Sequence, residues 1–246
     1  MKHGNNKKWI GILGFPLTHS RSREVHLQNI KNAALDYEFR VMEWDVETFD
    51  RNIGALKQDP LCVGFSITMP YKQKVVPFAD HLDSLASATG VVNCIKNAEG
   101  VWYGYNTDGP GFLTAFDEWN PKPPPDTPVI VLGTGATACT ISYMLAQVGF
   151  KHFIIAARAP EKANYICNKI KNSFSEVNIR CQSLSELSSA SFVVNTIPLQ
   201  TTEVSITAHW YFDVNYHASS SQKTGLSMFL HQADMAFGIW TKDLRN

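Results

Sequence analysis

The sequence predicts an α/β chain in two domains, an N-terminal α/β domain followed by a doubly wound parallel sheet, and three observations carry that prediction. Short runs rich in β-branched and aromatic residues alternate with helical stretches along the 246 residues. A proline run, Asn120-Pro121-Lys122-Pro123-Pro124-Pro125-Asp126, interrupts the alternation, and because it can neither continue a helix nor join a central strand it reads as an exposed link where the domain changes. A glycine-rich turn, Gly133-Thr134-Gly135-Ala136-Thr137-Ala138, follows an apolar strand and opens a helix.

Before the proline run, strands are expected at 9–15, 37–44, 62–68, 91–96 and 101–105, with helices at 22–34, 48–58 and 71–89. The last two strands make a hairpin around Asn97-Ala98-Glu99-Gly100. After it, strands are expected at 128–132, 153–157, 192–197 and 211–214, with a helix at 136–148. Helical segments at 111–119 and 226–240 flank the second domain and are expected to bridge the two lobes, whose cleft is then the default site. The domains run 1–110 for substrate and catalysis and 111–225 for a dinucleotide, with 226–246 packing back on the first.

Composition narrows the function. With 22 basic and 22 acidic residues the formal charge is zero, and no basic stripe marks a nucleic-acid or anionic-membrane surface. The apolar run near the start is too short for a signal-peptide core, and no run approaches the roughly 18 residues of a membrane span. The 5 cysteines, Cys62, Cys94, Cys139, Cys167 and Cys181, contain no Cys-x-x-Cys pair and read as reduced, mostly buried thiols of a cytoplasmic protein. The 8 histidines show no zinc-like spacing, so no metal is expected.

The glycine turn carries the clearest chemistry. Gly133 permits the tight turn, Gly135 lets the backbone approach a pyrophosphate, Ala138 keeps helix and strand close, and the helix N-terminus, from Ala136 on, points amides at the phosphates. Ile141, Met144, Leu145 and Val148 then give the helix one apolar face, and Gly149 stops it. An NAD site of this Rossmann type places an acid at the end of the next strand, but here that strand ends Ala156-Ala157-Arg158. Arg158, with Lys162 beyond it, suits a 2′-phosphate, so NADP is expected over NAD; the alternative is that both are solvated surface charges.

Segments along the chain, in order, resemble the shikimate dehydrogenase family: GFPLTHSRS, GFSITMPYK, GVVN, YNTDGPG, the glycine turn, VVNTIP and LHQADMAFGIW. The resemblance spans nearly the whole chain and implies a dehydrogenase that moves a hydride between NADP and a ring hydroxy acid, a step of aromatic amino acid biosynthesis. It implies Lys72 and Asp108 as the catalytic pair. It implies Ser20 and Ser22 on the substrate carboxylate, with Thr68, Asn93, Tyr216 and Gln232 on the ring, and Asn195, Thr196 and Gly225 near the cofactor. Proton transfer at a secondary alcohol gives such a lysine an independent reason to be there, and a helix start after Pro70 is expected to lower its pKa. Other roles stay open: Asp108 before Gly109-Pro110 suits an N-cap, Ser20 and Ser22 suit caps, Asn93 a strand-end tie and Gln232 a solvated helix position. The chain departs from the family at Ser66, where an asparagine is usual, at Arg23, where proline is usual, and in a shorter stretch between His217 and Gly225. Three readings follow: an NADP-dependent shikimate dehydrogenase, monomeric or homodimeric; an enzyme of the same class for quinate or another ring acid; and a dinucleotide-binding protein with little turnover.

Overall fold

The computed structural model describes residues 7–18, 20–187, 189–198, 206–216 and 224–242. The chain divides into two compact units, Met1–Thr107 with Ala233–Asn246, and Asp108–Gln232.

The first unit is a mixed sheet with helices. It contains β1 (Trp9–Gly14), α1 (Ser22–Asn32), β2 (Glu38–Glu43), α2 (Val46–Lys57), β3 (Cys62–Ile67), β4 (His81–Leu82), α3 (Ser84–Thr89), β5 (Cys94–Ala98) and β6 (Val101–Tyr105). The six strands lie in the order β2-β1-β3-β5-β6-β4. β1 runs parallel to β2 and β3, while β5 runs antiparallel to β3 and β6. Every residue of β1 is buried, which is why Trp9–Gly14 reads as a continuous apolar run rather than an alternating one. One core holds Trp9, Leu13, Phe49, Phe65, Tyr71 and Trp102. Phe49, Ile53 and Leu56 recur at helical spacing on the buried face of α2, which starts where the Asp45 carboxylate accepts the Thr48 N–H at 2.8 Å. A second cluster, Ile10, Ile30, Cys94, Ala236, Phe237 and Trp240, joins the strands to the chain's last helix, and the Trp240 indole N–H donates to the Ile95 carbonyl at 2.8 Å.

The second unit holds α4 (Asp108–Asp117), β7 (Val129–Leu132), α5 (Ala136–Gln147), β8 (His152–Ala157), α6 (Asn164–Ser173), β9 (Asn178–Ser183), β10 (Ser189–Asn195), β11 (Thr207–Asp213) and α7 (Thr224–Thr241), the last crossing the division between units. Its sheet is parallel throughout, in the order β11-β10-β7-β8-β9. Phe112 and Phe116 of α4 pack with Phe150, Phe192 and Phe212 in an aromatic cluster.

Several expectations change. The stretch 71–89 is not one helix: it is a turn, a single 3-10 turn at Val76–Phe78, the short β4 and then α3. Pro77 lacks the N–H that a continuing helix needs, and Asp83 starts α3 afresh by accepting the Ala86 N–H at 2.6 Å. The strand expected at 91–96 begins only at Cys94, because Val92 N–H turns aside to the Lys72 carbonyl at 2.8 Å. Asp108 is the first residue of α4 rather than the residue capping it. α6 and β9 were not foreseen: β9 is an edge strand whose residues are mostly part-exposed, so it lacks an apolar run. Among the described residues no helix is long and apolar enough to cross a membrane, and no three His, Cys, Asp or Glu side chains are grouped to hold a metal.

Candidate active site

In the first unit, the chain leaves β1 and β3 at the same end of the sheet and the two exits are tied together. Phe15 N–H donates to the Met69 carbonyl at 2.9 Å, and Thr68 N–H donates to the Leu13 carbonyl at 2.9 Å. The Glu43 carboxylate accepts the Leu17 N–H at 2.9 Å, which fixes the loop leading to α1. Ser20 is half-buried, and its hydroxyl accepts the Ser22 N–H at 3.3 Å. Ser22 is buried as the first residue of α1, and the N-cap is Arg21, which makes no side-chain cap. Of these two serines only Ser20 serves the helix start with its side chain, from the position before the N-cap. Arg23 is exposed, and His19 lies outside the described residues.

Thr68 and Lys72 follow β3, both half-buried. The turn that carries Lys72 is closed by Val75 N–H to the Tyr71 carbonyl at 2.9 Å, and its own carbonyl accepts the Val92 N–H. No α-helix begins here, so the helix dipole expected to act on the Lys72 ammonium is missing. Asn93, next to Val92, is buried. Its amide clasps Thr107: Oδ1 accepts the Thr107 N–H at 2.7 Å, and Nδ2 donates to Thr107 Oγ1 at 2.9 Å. Sequence reasoning missed Thr107, whose signal is the hydroxyl next to Asp108 in YNTDGPG. Ile67 N–H donates to the Asn93 carbonyl at 2.7 Å and Tyr71 N–H to the Thr68 carbonyl at 3.0 Å, so main-chain bonds hold the Thr68–Lys72 turn beside the Val92–Asn93 segment at the exit of β3 and the entry to β5. Ser66, in β3 opposite Ile12 and Cys94, is 7% exposed, and its hydroxyl has no hydrogen-bond partner among the described residues.

In the second unit, Gly133 adopts φ +108°, a left-handed conformation that favours glycine, and a Cβ there would lie 2.6 Å from Thr196 Oγ1. Its N–H donates to the Ala156 carbonyl at 2.8 Å, and Thr196 Oγ1 donates to the Leu132 carbonyl at 2.6 Å, so the loop is held from both neighbouring strands. Gly135 is the N-cap of α5 with no side chain to cap the helix, and a Cβ there would meet none of the described residues within 4 Å. Ala136 opens α5 and Ala138 is buried against the strand. Tyr165 of α6, also missed, donates its hydroxyl to the carbonyls of Thr134 at 3.0 Å and Gly135 at 3.2 Å.

Arg158 and Lys162 are exposed just past β8, and neither enters an ion pair with the described residues. Asn195 is buried at the end of β10; its Oδ1 accepts the Ile197 N–H at 3.1 Å and its Nδ2 donates to Asp213 at 3.3 Å. The Asp213 carboxylate also takes the N–H and the amide of Asn215, at 2.9 and 2.7 Å. Gly225 docks the start of α7 on β11, since a Cβ there would sit 2.6 Å from the Val214 backbone. Tyr216 stacks on Phe229 with centroids 4.5 Å apart, and Gln232 Nε2 donates to the Phe229 carbonyl at 2.9 Å. Asp108 is buried at the start of α4. Most of the shortened stretch, 217–223, lies outside the described residues.

Residues 12–95 match the family model of the shikimate dehydrogenase substrate binding domain. A protein of Carboxydothermus hydrogenoformans named shikimate dehydrogenase (NADP(+)) is 31% identical over 98% of this chain and 94% of its own. Among solved structures, shikimate 5-dehydrogenase of Thermus thermophilus in complex with NADP(H) and shikimate superposes with a TM-score of 0.79 at 22% identity, covering 96% of this chain and 94% of that one. Quinate dehydrogenase of Corynebacterium glutamicum in complex with NAD gives 0.80 at 23% identity, with the same two coverages of 96% and 94%. These two share the fold, an N-terminal substrate domain and a Rossmann-type domain, and the nearly full-length identity to the Carboxydothermus protein goes further: this chain belongs to the shikimate dehydrogenase family, oxidoreductases acting on a CH–OH group.

Proposed function

We propose that the chain is an NADP-dependent shikimate dehydrogenase, interconverting 3-dehydroshikimate and shikimate. The observation that carries this reading is the sheet end after β3, where Val92 N–H donates to the Lys72 carbonyl at 2.8 Å, Tyr71 N–H to the Thr68 carbonyl at 3.0 Å and Ile67 N–H to the Asn93 carbonyl at 2.7 Å. A half-buried amine in that place can take the proton from a ring hydroxyl and return it to the ketone. NADP, when bound, supplies the hydride acceptor, and NADPH the donor. The uncapped start of α5 and the open side of Gly135 suit a pyrophosphate, and the unpaired cations Arg158 and Lys162 suit a 2′-phosphate. In this reading Ser20 and Ser22 hold the substrate carboxylate, Asn93, Thr68, Tyr216 and Gln232 bind the ring, and Asp108 orients the amine. Asn195, Thr196 and Gly225 shape the nicotinamide end of the dinucleotide site.

Initial rates measured with shikimate and quinate, each with NADP and NAD, test the proposal. The highest specificity constant belongs to shikimate with NADP. Arg158 is expected to make NADP bind more tightly than NAD through a charge-assisted contact of about 1.5–3 kcal/mol, and Arg158→Ala to remove most of that preference. Equal affinity of the unmodified protein for the two dinucleotides in calorimetry removes Arg158 from cofactor selection. Tight NADP binding without turnover of either acid would turn the reading toward a binding protein.

Ser66 supports a second reading, a ring acid other than shikimate. Its buried, partnerless hydroxyl replaces an amide that donates and accepts at once, so one contact to a substrate hydroxyl is lost at about 0.5–1.5 kcal/mol. Ser66→Asn is expected to raise the specificity constant for shikimate several-fold. A loss on quinate in the same variant would favour the second reading, and unchanged kinetics on both acids would take Ser66 out of the substrate pocket.

A further inference from the structure

We propose that Cys167 and Cys181 form a redox-responsive pair, which a low-molecular-weight disulfide such as oxidised glutathione joins into a protein disulfide that shifts α6 and the glycine loop it holds. The two sulfur atoms already lie 3.0 Å apart, on α6 and β9, and are 14 positions apart in the chain. Closing the bond removes about 1 Å from that separation, taken up by rotation of the two side chains and by movement of α6 against β9. The pair is asymmetric. Cys167 is on the buried face of α6 with Ile166 and Ile170, whereas Cys181 is part-exposed on β9, the edge of the sheet. Cys181 Sγ also donates to Asn164 Oδ1, at 3.5 Å, in the first turn of α6.

The link to the loop is Tyr165, two residues before Cys167 on the same helix. Its hydroxyl is shared between the carbonyls of Thr134 and Gly135, at 3.0 and 3.2 Å. These bonds leave α6 only a few tenths of an ångström of movement, because a hydrogen bond stretched much beyond 3.5 Å is lost. Arg158 and Lys162 stand on the segment that leads into α6, so any movement of α6 reaches the cations assigned to the 2′-phosphate.

The chemistry balances with the oxidant named. The Cys181 thiolate attacks one sulfur of oxidised glutathione and expels the first glutathione as thiolate. The Cys167 thiol gives its proton to water, attacks the Cys181 sulfur and expels the second glutathione. Two protein thiols are oxidised to one disulfide and one disulfide is reduced to two thiols. Burial, and then the neighbouring Cys181, push the Cys167 thiol up to about 12, so the part-exposed Cys181 meets the oxidant first. Cys62, Cys94 and Cys139 are buried, and burial raises each of these thiols as well, which keeps them out of the exchange.

The effect on NADP rests on the proposed function; the bridge and the loop shift do not. The full chain is incubated with oxidised glutathione, then read by peptide mapping, by hydrogen exchange over 133–139 and by NADP titration. The expected results are a Cys167–Cys181 link, altered exchange in that loop and an NADP Kd raised several-fold, all reversed by dithiothreitol. Cys181→Ser and Cys167→Ala keep the reduced-state NADP affinity and lose the response. Glutathione left on Cys181 without the link, or the link without a change in loop exchange, overturns the proposal. Failure of the reduced protein to bind NADP would sink the proposed cofactor instead, leaving the pair to be judged on mapping and exchange.

Discussion

Lys72→Ala is expected to lower turnover by about 10²-fold or more, the scale of losing a general acid–base, with a smaller effect on substrate affinity. The geometry makes this a clean substitution. What fixes the turn is main chain, Val75 N–H to the Tyr71 carbonyl and Val92 N–H to the Lys72 carbonyl, and alanine leaves both bonds in place. An unchanged melting temperature with a collapsed kcat therefore isolates chemistry from folding. Near-normal turnover would remove Lys72 from the reaction. Asp108→Ala is expected to impair turnover too, and the double variant to be less than additive if the pair works as one unit. Asp108 is the harder test, because an acid in the first turn of α4 also favours that helix by about 0.3–1 kcal/mol. Asp108→Asn keeps the shape, so stability measured beside kcat separates its two contributions.

What the sequence disclosed and what it hid divide along physical lines. Central strands such as β1 and β7 were legible because burial on both faces writes a continuous apolar run. The hairpin was legible because its turn needs special chemistry: Gly100 adopts φ +86° and its N–H donates to Asn97 Oδ1 at 2.9 Å. The glycine loop was legible for the same reason at Gly133. The edge strand β9 and the helix before it were not, since an edge alternates weakly and Asn164–Ser173 has only three buried positions. At the site, residue identities came from the resemblance, but what holds them did not. Thr107 beneath Asn93, Tyr165 behind the glycine loop and Asp213 beside Asn195 are long-range partners, and spacing along a chain does not encode them. The environment of Lys72 is hidden from the sequence because Pro70 suggests a helix start where the chain makes a single turn.

A pH dependence of stability centred on His26 was equally invisible, and it is the largest stability effect expected here. Ser22, His26 and Ile30 form the buried face of α1, so a basic ring occupies a core position. The imidazole packs against Phe39 at 5.7 Å and Trp240 at 5.0 Å, and neither ring nitrogen has a hydrogen-bond partner among the described residues. Burial opposes the charged form and, against a weaker pull from Asp234, lowers the pKa from 6.5 to about 4. Between those two values the unfolded chain binds a proton that the folded chain refuses. Stability from this group is therefore complete above pH 6.5 and drains away as pH falls toward 4, by about 3 kcal/mol in all. His26→Phe puts a ring of similar shape among the same aromatic neighbours and removes the titration. The variant's urea stability should diverge from that of the unmodified protein below pH 6.5, gaining steadily down to pH 4, and keep a constant offset above pH 7. Subtracting the two curves cancels every carboxylate common to both, so two parallel curves would mean that His26 takes up its proton in the folded state as readily as in the unfolded chain, and that the aromatic packing around it opens to water.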